Sequence, residues 1–130
     1  MIKTQWNPHA EKMLFSAAGS NDDLNLIKND IRNGLSDLWR FDHDTINGYI
    51  VTRGERLKNN TLELVIVLGA GRGASEFVPM IIEIAKNYGF DSIRAHNGRK
   101  GLNRIYLKNG FKIVEIDNDG QTVVRRCLNG

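Results

Sequence analysis

Fifteen residues near the middle of the chain, Glu63 to Phe77 (ELVIVLGAGRGASEF), restrict its fold more than any other stretch. The apolar run Leu64 to Leu68 reads as a buried strand, and Gly69, Gly71 and Gly73 follow it at alternate positions. Phe77, Ile81, Ile84, Ala85 and Tyr88 then recur at helical spacing until Gly89 closes the helix. Pro79 inside that helix is expected to bend it or delay its first turn. Strand, glycine turn and helix in succession make this a mixed α and β chain. The glycines can be read two ways. Gly69-x-Gly71-x-x-Ala74 imitates a dinucleotide fingerprint, whereas Gly71-x-Gly73 is half of a different phosphate cradle.

The flanking elements decide between these readings. Ile2–Trp6 reads as a short strand, and Asn7-Pro8 begins a helix with an N-cap and a first-position proline. Ser20 with Asp23 opens a second helix, whose buried side is Leu24, Ile27 and Ile31 and whose end is Gly34. Three strands follow near Leu35–Phe41, Gly48–Arg53 and Thr61–Leu68, separated by the polar turns DHDTIN and GERLKNN. After the central helix come a strand at Asp91–His96, a helix at Leu102–Asn109 stopped by Gly110, and a hairpin of Phe111–Ile116 with Thr122–Cys127 across DNDG. The expected order is β-α-α-β-β-β-α-β-α-β-β in a mixed sheet, mostly antiparallel because the connections are short. A dinucleotide site needs repeated parallel units and a carboxylate at the end of the strand after the helix. That strand ends in Arg94-Ala95-His96-Asn97, and no Gly-Lys-Ser/Thr follows the glycines, so neither a Rossmann unit nor a P-loop fits.

With 130 residues the chain is expected to form one domain, spanning 1–130. Its 41% hydrophobic and 25% charged residues exclude disordered and fibrous classes. The apolar run at Leu64 is far shorter than the roughly 20 residues of a membrane span, and the start MIKTQWNPHAEK lacks a signal-peptide core. A cytoplasmic location without membrane contact is the expectation. The single cysteine, Cys127, is expected to be a buried or inert thiol, and no metal-ligand spacing surrounds it. The net charge of +3 is concentrated at Arg94, Arg99, Lys100, Arg104 and Lys108, with Arg125 and Arg126 later. That pattern suits a solvated face or a small phosphorylated partner better than nucleic acid, because no aromatic residues interleave with the basic ones.

RIYLKNGFKIVEI, with Tyr106 followed by Gly110-Phe111, together with the order of elements, resembles the GNAT superfamily of N-acetyltransferases over nearly the whole chain. The resemblance implies a GNAT-like fold with acetyl-coenzyme A as cosubstrate, no metal, and acetyl transfer to an amine by direct attack. In that family a strand delivers its backbone to the coenzyme, here Ile66, Val67 and Leu68. The following turn, Gln/Arg-x-x-Gly-x-Gly/Ala, wraps the pyrophosphate with main-chain amides, here Gly71, Arg72, Gly73 and Ala74. Leu68 stands where the family has Gln or Arg. Asn97 and Asn103 are implied coenzyme contacts, and each is also a candidate helix cap. Tyr106 is implied both to touch the coenzyme and to be the acid that protonates the thiolate. For the base, Glu63 is the first candidate and His96 the next, with Asp42, His43 and Asp44 behind them. The alternative reading is a catalytically inactive GNAT-like domain with a binding or structural role, virion-associated if phage-encoded. The amine acceptor and any homodimer or larger assembly are left open.

Overall fold

A computed structural model describes residues 1–43 and 46–128, with the side chains of 42, 43 and 46 outside that description. The elements follow the expected order: β1 (Ile2–Thr4), α1 (Pro8–Ala18), α2 (Asn21–Arg32), β2 (Asp37–His43), β3 (Ile46–Arg56), β4 (Leu62–Arg72), α3 (Ala74–Asn87), β5 (Ser92–Asn97), α4 (Lys100–Lys108), β6 (Lys112–Ile116) and β7 (Thr122–Cys127). Local chemistry explains the helix starts. Asn7 accepts the Ala10 amide at 2.9 Å with Pro8 at the first helical position, and the Ser20 hydroxyl accepts the Asp23 amide at 3.1 Å.

The strands form one seven-stranded sheet in the order β1-β2-β3-β4-β5-β7-β6. Pairs β1/β2, β2/β3, β5/β7 and β6/β7 are antiparallel, and β4/β5 is parallel from Glu63↔Ser92 to Ile66↔Ala95. The β6/β7 ladder carries an irregularity between Ile113 and Glu115. No helix among the described residues is long and apolar enough to cross a membrane.

The chain divides into two compact units, Met1–Arg53 with Val67–Gly73, and Gly54–Ile66 with the chain from Ala74 onward. In the first, Ala10, Leu14, Leu24, Leu38, Tyr49 and Val51 form the core, and Ile27, Ile31, Val67 and Leu68 pack against it. In the second, α3 lies on β5, α4 lies on β6 and β7, and the two helices touch. Strand alternation gives them the face carrying Ile93 and Ala95 and leaves Ser92, Arg94 and His96 on the other.

Three sequence expectations are corrected. β4 does not stop at Leu68 but runs through the glycines to Arg72. A Cβ on Gly71 would strike the Asn47 carbonyl oxygen, one on Gly48 would strike the Ala70 carbonyl oxygen, and Gly71 has φ 135°. The paired glycines therefore let two backbones touch. Helix α3 starts at Ala74, ahead of Pro79, so its first turn is not delayed; Pro79 lies on its exposed side, and its buried face is Val78, Ile81, Ile82 and Ala85. Tyr88 is 62% exposed. Cys127 is exposed at the end of β7, not buried.

Candidate active site

The glycine segment joins β4 directly to α3. Gly73, with φ 95°, is the single residue between Arg72 and the first helical residue Ala74. The first amides of a helix have no partner within it, and the helix dipole makes that end attract anions. Positive φ at Gly73 turns the strand into the helix over one residue, at no steric cost. Arg72 is exposed beside this end. Leu68 packs against the apolar core of the first unit, so its position supplies packing where a Gln or Arg would supply a polar arm. Gly71 has its own backbone reason in the contact with Asn47.

Glu63 lies at the start of β4 and is completely buried. In the β5/β7 ladder Arg94 stands opposite Arg125, a like-charge pair that would repel if left alone. Glu63 resolves it. Its carboxylate accepts Arg94 Nη1 at 2.7 Å, Arg125 Nε at 2.7 Å, Arg125 Nη2 at 3.3 Å and the Ser92 hydroxyl at 2.7 Å. Arg94 reaches on to Glu55 at 3.1 Å. Burial pushes the Glu63 carboxyl up, but the hydrogen bonds from Arg125 and Ser92 and the charges of both arginines prevail and hold it below the usual carboxylate range. A general base needs a proton affinity near the working pH and a path to its substrate. Glu63 combines a lowered affinity with complete burial and four hydrogen bonds that its oxygens accept. This arrangement is that of an ionic hub.

His96 is on the same face of β5 as Ser92 and Arg94, and its ring is exposed. Its Nδ1 lies 2.9 Å from Asp117 Oδ2. The hydrogen bond from His96 and the Gln121 amide hold the Asp117 carboxyl below the usual range. Asn97, the next residue, ties β5 to α4. Its side-chain oxygen accepts the Arg99 amide at 3.2 Å, and its amide donates to Arg99 O at 2.9 Å and Asn103 Oδ1 at 3.0 Å. The two asparagines are thus brought together, and Asn97 organises the start of α4 from outside it.

Tyr106, in α4, is 2% exposed and packs against Phe111 with ring centroids 4.9 Å apart and planes tilted by 56°. Phe111 N donates to Tyr106 O at 3.1 Å, which locks the helix end to the turn before β6. Burial raises the phenol far above its ordinary value. Its hydroxyl makes no hydrogen bond to any described residue. Asp44 lies outside the described residues, as do the side chains of Asp42 and His43. Among the described residues no group of three His, Cys, Asp or Glu could hold a metal ion.

Sequence reading missed Asp117, Ser92, Glu55 and the bridging role of Arg125. The available signal was Glu63 itself, a carboxylate inside an apolar strand, which demands cationic partners wherever the register supplies them.

The fold is thus a seven-stranded mixed sheet with β4 and β5 parallel, a glycine entry into α3, and a tyrosine helix ahead of the last hairpin. Solved structures agree along nearly the full length. The NatC complex bound to Gag peptide and CoA matches with a TM-score of 0.70 at 12% identity, covering 98% of each chain. An N-acetyltransferase from Staphylococcus aureus Mu50 matches at 0.70 and 13% identity, covering 99% of this chain and 97% of that one. An acetyltransferase from Streptococcus agalactiae 2603 matches at 0.66 and 14% identity, covering 98% and 96%. No protein-family model and no curated protein matches the sequence.

Proposed function

We propose that the protein is an acetyl-coenzyme A-dependent N-acetyltransferase acting on an amine. The observation that carries this is the Tyr106 hydroxyl, which pairs with no described residue although its ring is packed in the fold, at the position the Tyr-x-x-x-Gly-Phe resemblance gives to the acid. Support also comes from the fold shared with N-acetyltransferases, one of them in a complex bound to CoA.

Acetyl-coenzyme A supplies an acetyl thioester; the rest is the work of this chain. The main chain of Gly71 and Arg72 at the end of β4 and of Gly73 and Ala74 at the entry to α3 would hold the pyrophosphate, and the main chain of Ile66, Val67 and Leu68 would accompany the pantetheine. Asn97 and Asn103 are the polar contacts that the resemblance assigns to the coenzyme. Tyr106, a phenol, carries its proton at neutral pH and is the group the resemblance gives to the departing thiolate; burial, which raises its pKa, makes it a weaker acid there. Leu68 favours a second reading, a GNAT domain that keeps the fold without the chemistry, because the polar arm of the motif is absent there.

Titrating acetyl-coenzyme A against the melting temperature tests the first reading. Ligand at a hundredfold its dissociation constant should add about 2.7 kcal/mol of stability. An unmoved transition together with no heat of binding by calorimetry would remove the enzyme reading and leave the second.

A further inference from the structure

The β6–β7 turn holds a carboxylate whose two oxygens do different things. Asp117 Oδ1 accepts the amides of Asp119 and Gln121, each at 2.9 Å, while the Asp117 amide donates to Gln121 O at 2.9 Å. The turn is complete with Oδ1 alone. Oδ2 is left over, and it meets His96 Nδ1 at 2.9 Å. Asp117 is ionised at neutral pH, since its pKa lies below the ordinary carboxylate value. An ionised carboxylate can only accept, so Nδ1 of a neutral imidazole must carry the hydrogen. The lone pair then sits on Nε2, which has no partner among the described residues. His96 follows Ala95, the residue paired with Ile66 at the end of the β4/β5 ladder, and Ile66 is the first strand residue assigned above to the coenzyme.

We infer that Asp117 is a positioning residue that sets the tautomer and orientation of His96, and that His96 Nε2 is the proton acceptor of the reaction; this rests on the acetyltransferase reading. As the amine nitrogen bonds to the acetyl carbon, its proton passes to Nε2. The carbon–sulfur bond breaks and the thiolate takes the Tyr106 proton. His96 then releases its proton to solvent and Tyr106 regains one, so amine and thioester become amide and thiol with no further reactant. The arrangement explains why a strand-end histidine is tethered to a turn that has no structural need of it. It also gives Glu63 and His96 separate duties on one face of the sheet.

The test is Asp117→Asn. The asparagine oxygen can still accept the two turn amides, but its NH2 group donates to Nδ1 and forces the hydrogen onto Nε2. Long-range proton–nitrogen NMR of the imidazole should show an Nδ1–H ring in the parent and an Nε2–H ring in the variant. With acetyl-coenzyme A and a panel of primary amines, kcat should fall roughly 10²-fold, within the range for a positioned base, while calorimetry shows unchanged coenzyme affinity. His96→Ala should lose kcat at least as severely. An Nε2–H ring in the parent would overturn the inference, and so would parental kcat in a variant whose tautomer has switched. Failure of the parent to bind acetyl-coenzyme A by calorimetry would instead overturn the reading beneath it, whatever the ring shows.

Discussion

Glu63 and Tyr106 are both polar and both almost fully buried, at 0% and 2% exposure, yet they sit in opposite conditions. Glu63 receives four hydrogen bonds from three side chains on neighbouring strands. Tyr106 receives and gives none through its hydroxyl among the described residues, and its ring is held by Phe111. A buried polar group that is fully partnered is architecture, because removing it strands its partners. A hydroxyl that no described side chain engages, and that is not itself among the sealed, unpartnered polar atoms, keeps its chemistry available. Apolar neighbours alone do not separate the two; the partners do.

The largest effect should come from breaking the partnered member. Glu63→Gln keeps the shape and removes the charge, leaving Arg125 opposed to Arg94 across the ladder without the buried carboxylate they share, and Arg94 with Glu55 as its remaining counterion. About 3 kcal/mol should be lost, the range for orphaning a buried ion pair, lowering the melting temperature by roughly 10 °C. Denaturant melts of parent and variant measure it. A loss below about 1 kcal/mol would mean that the arginines find solvent easily and that the hub is surface-like.

Acid should sharpen the same contrast. The Glu63 pKa is lowered on folding from an ordinary value near 4.5, so its contribution is complete above that pH and drains away as the pH falls through the folded value. Asp117, lowered as well, acts in the same direction. Stability of the parent should therefore decline below about pH 4.5, and Glu63→Gln should flatten that decline. Chemical melts between neutral pH and pH 3 compare the two slopes; parallel slopes would assign the acid lability elsewhere.

The smallest effect on stability belongs to the unpartnered member. Tyr106→Phe removes a hydroxyl without removing a protein hydrogen bond, so stability should change by less than about 0.5 kcal/mol. Turnover should nevertheless fall by roughly 10²- to 10³-fold if the phenol is the acid. Turnover within about threefold of the parent would take Tyr106 out of the chemistry.

What was legible in the sequence follows the range of the forces involved. The caps at Asn7 and Ser20, the stop at Gly110 and the turn at DNDG are local chemistry, and the element order built from them holds. The extent of β4 was not legible, because Gly71 is required by the Asn47 carbonyl, which only the packed backbones bring to it. The buried face of α3 was legible only in part, at Ile81 and Ala85, because apolar residues lie on several sides of that helix and spacing alone admits more than one stripe; packing selected Val78 and Ile82 over Tyr88. At the candidate site Tyr106 could be singled out from a motif, and Glu63 from its company of apolar neighbours. The partners that give Glu63 and His96 their character come from strand register and from a turn oxygen. Neither is written in the spacing of any one segment.

The exposed Cys127 closes β7 opposite Ser92, and the whole chain has one cysteine. Its covalent valence through sulfur is therefore one. Oxidation can join two chains and can never build a polymer, and a maleimide dye added to the native protein labels a single defined place. That place is the strand end across from the serine that donates to the buried carboxylate, so a reporter attached there would sense the ionic hub from outside without replacing any residue that forms it.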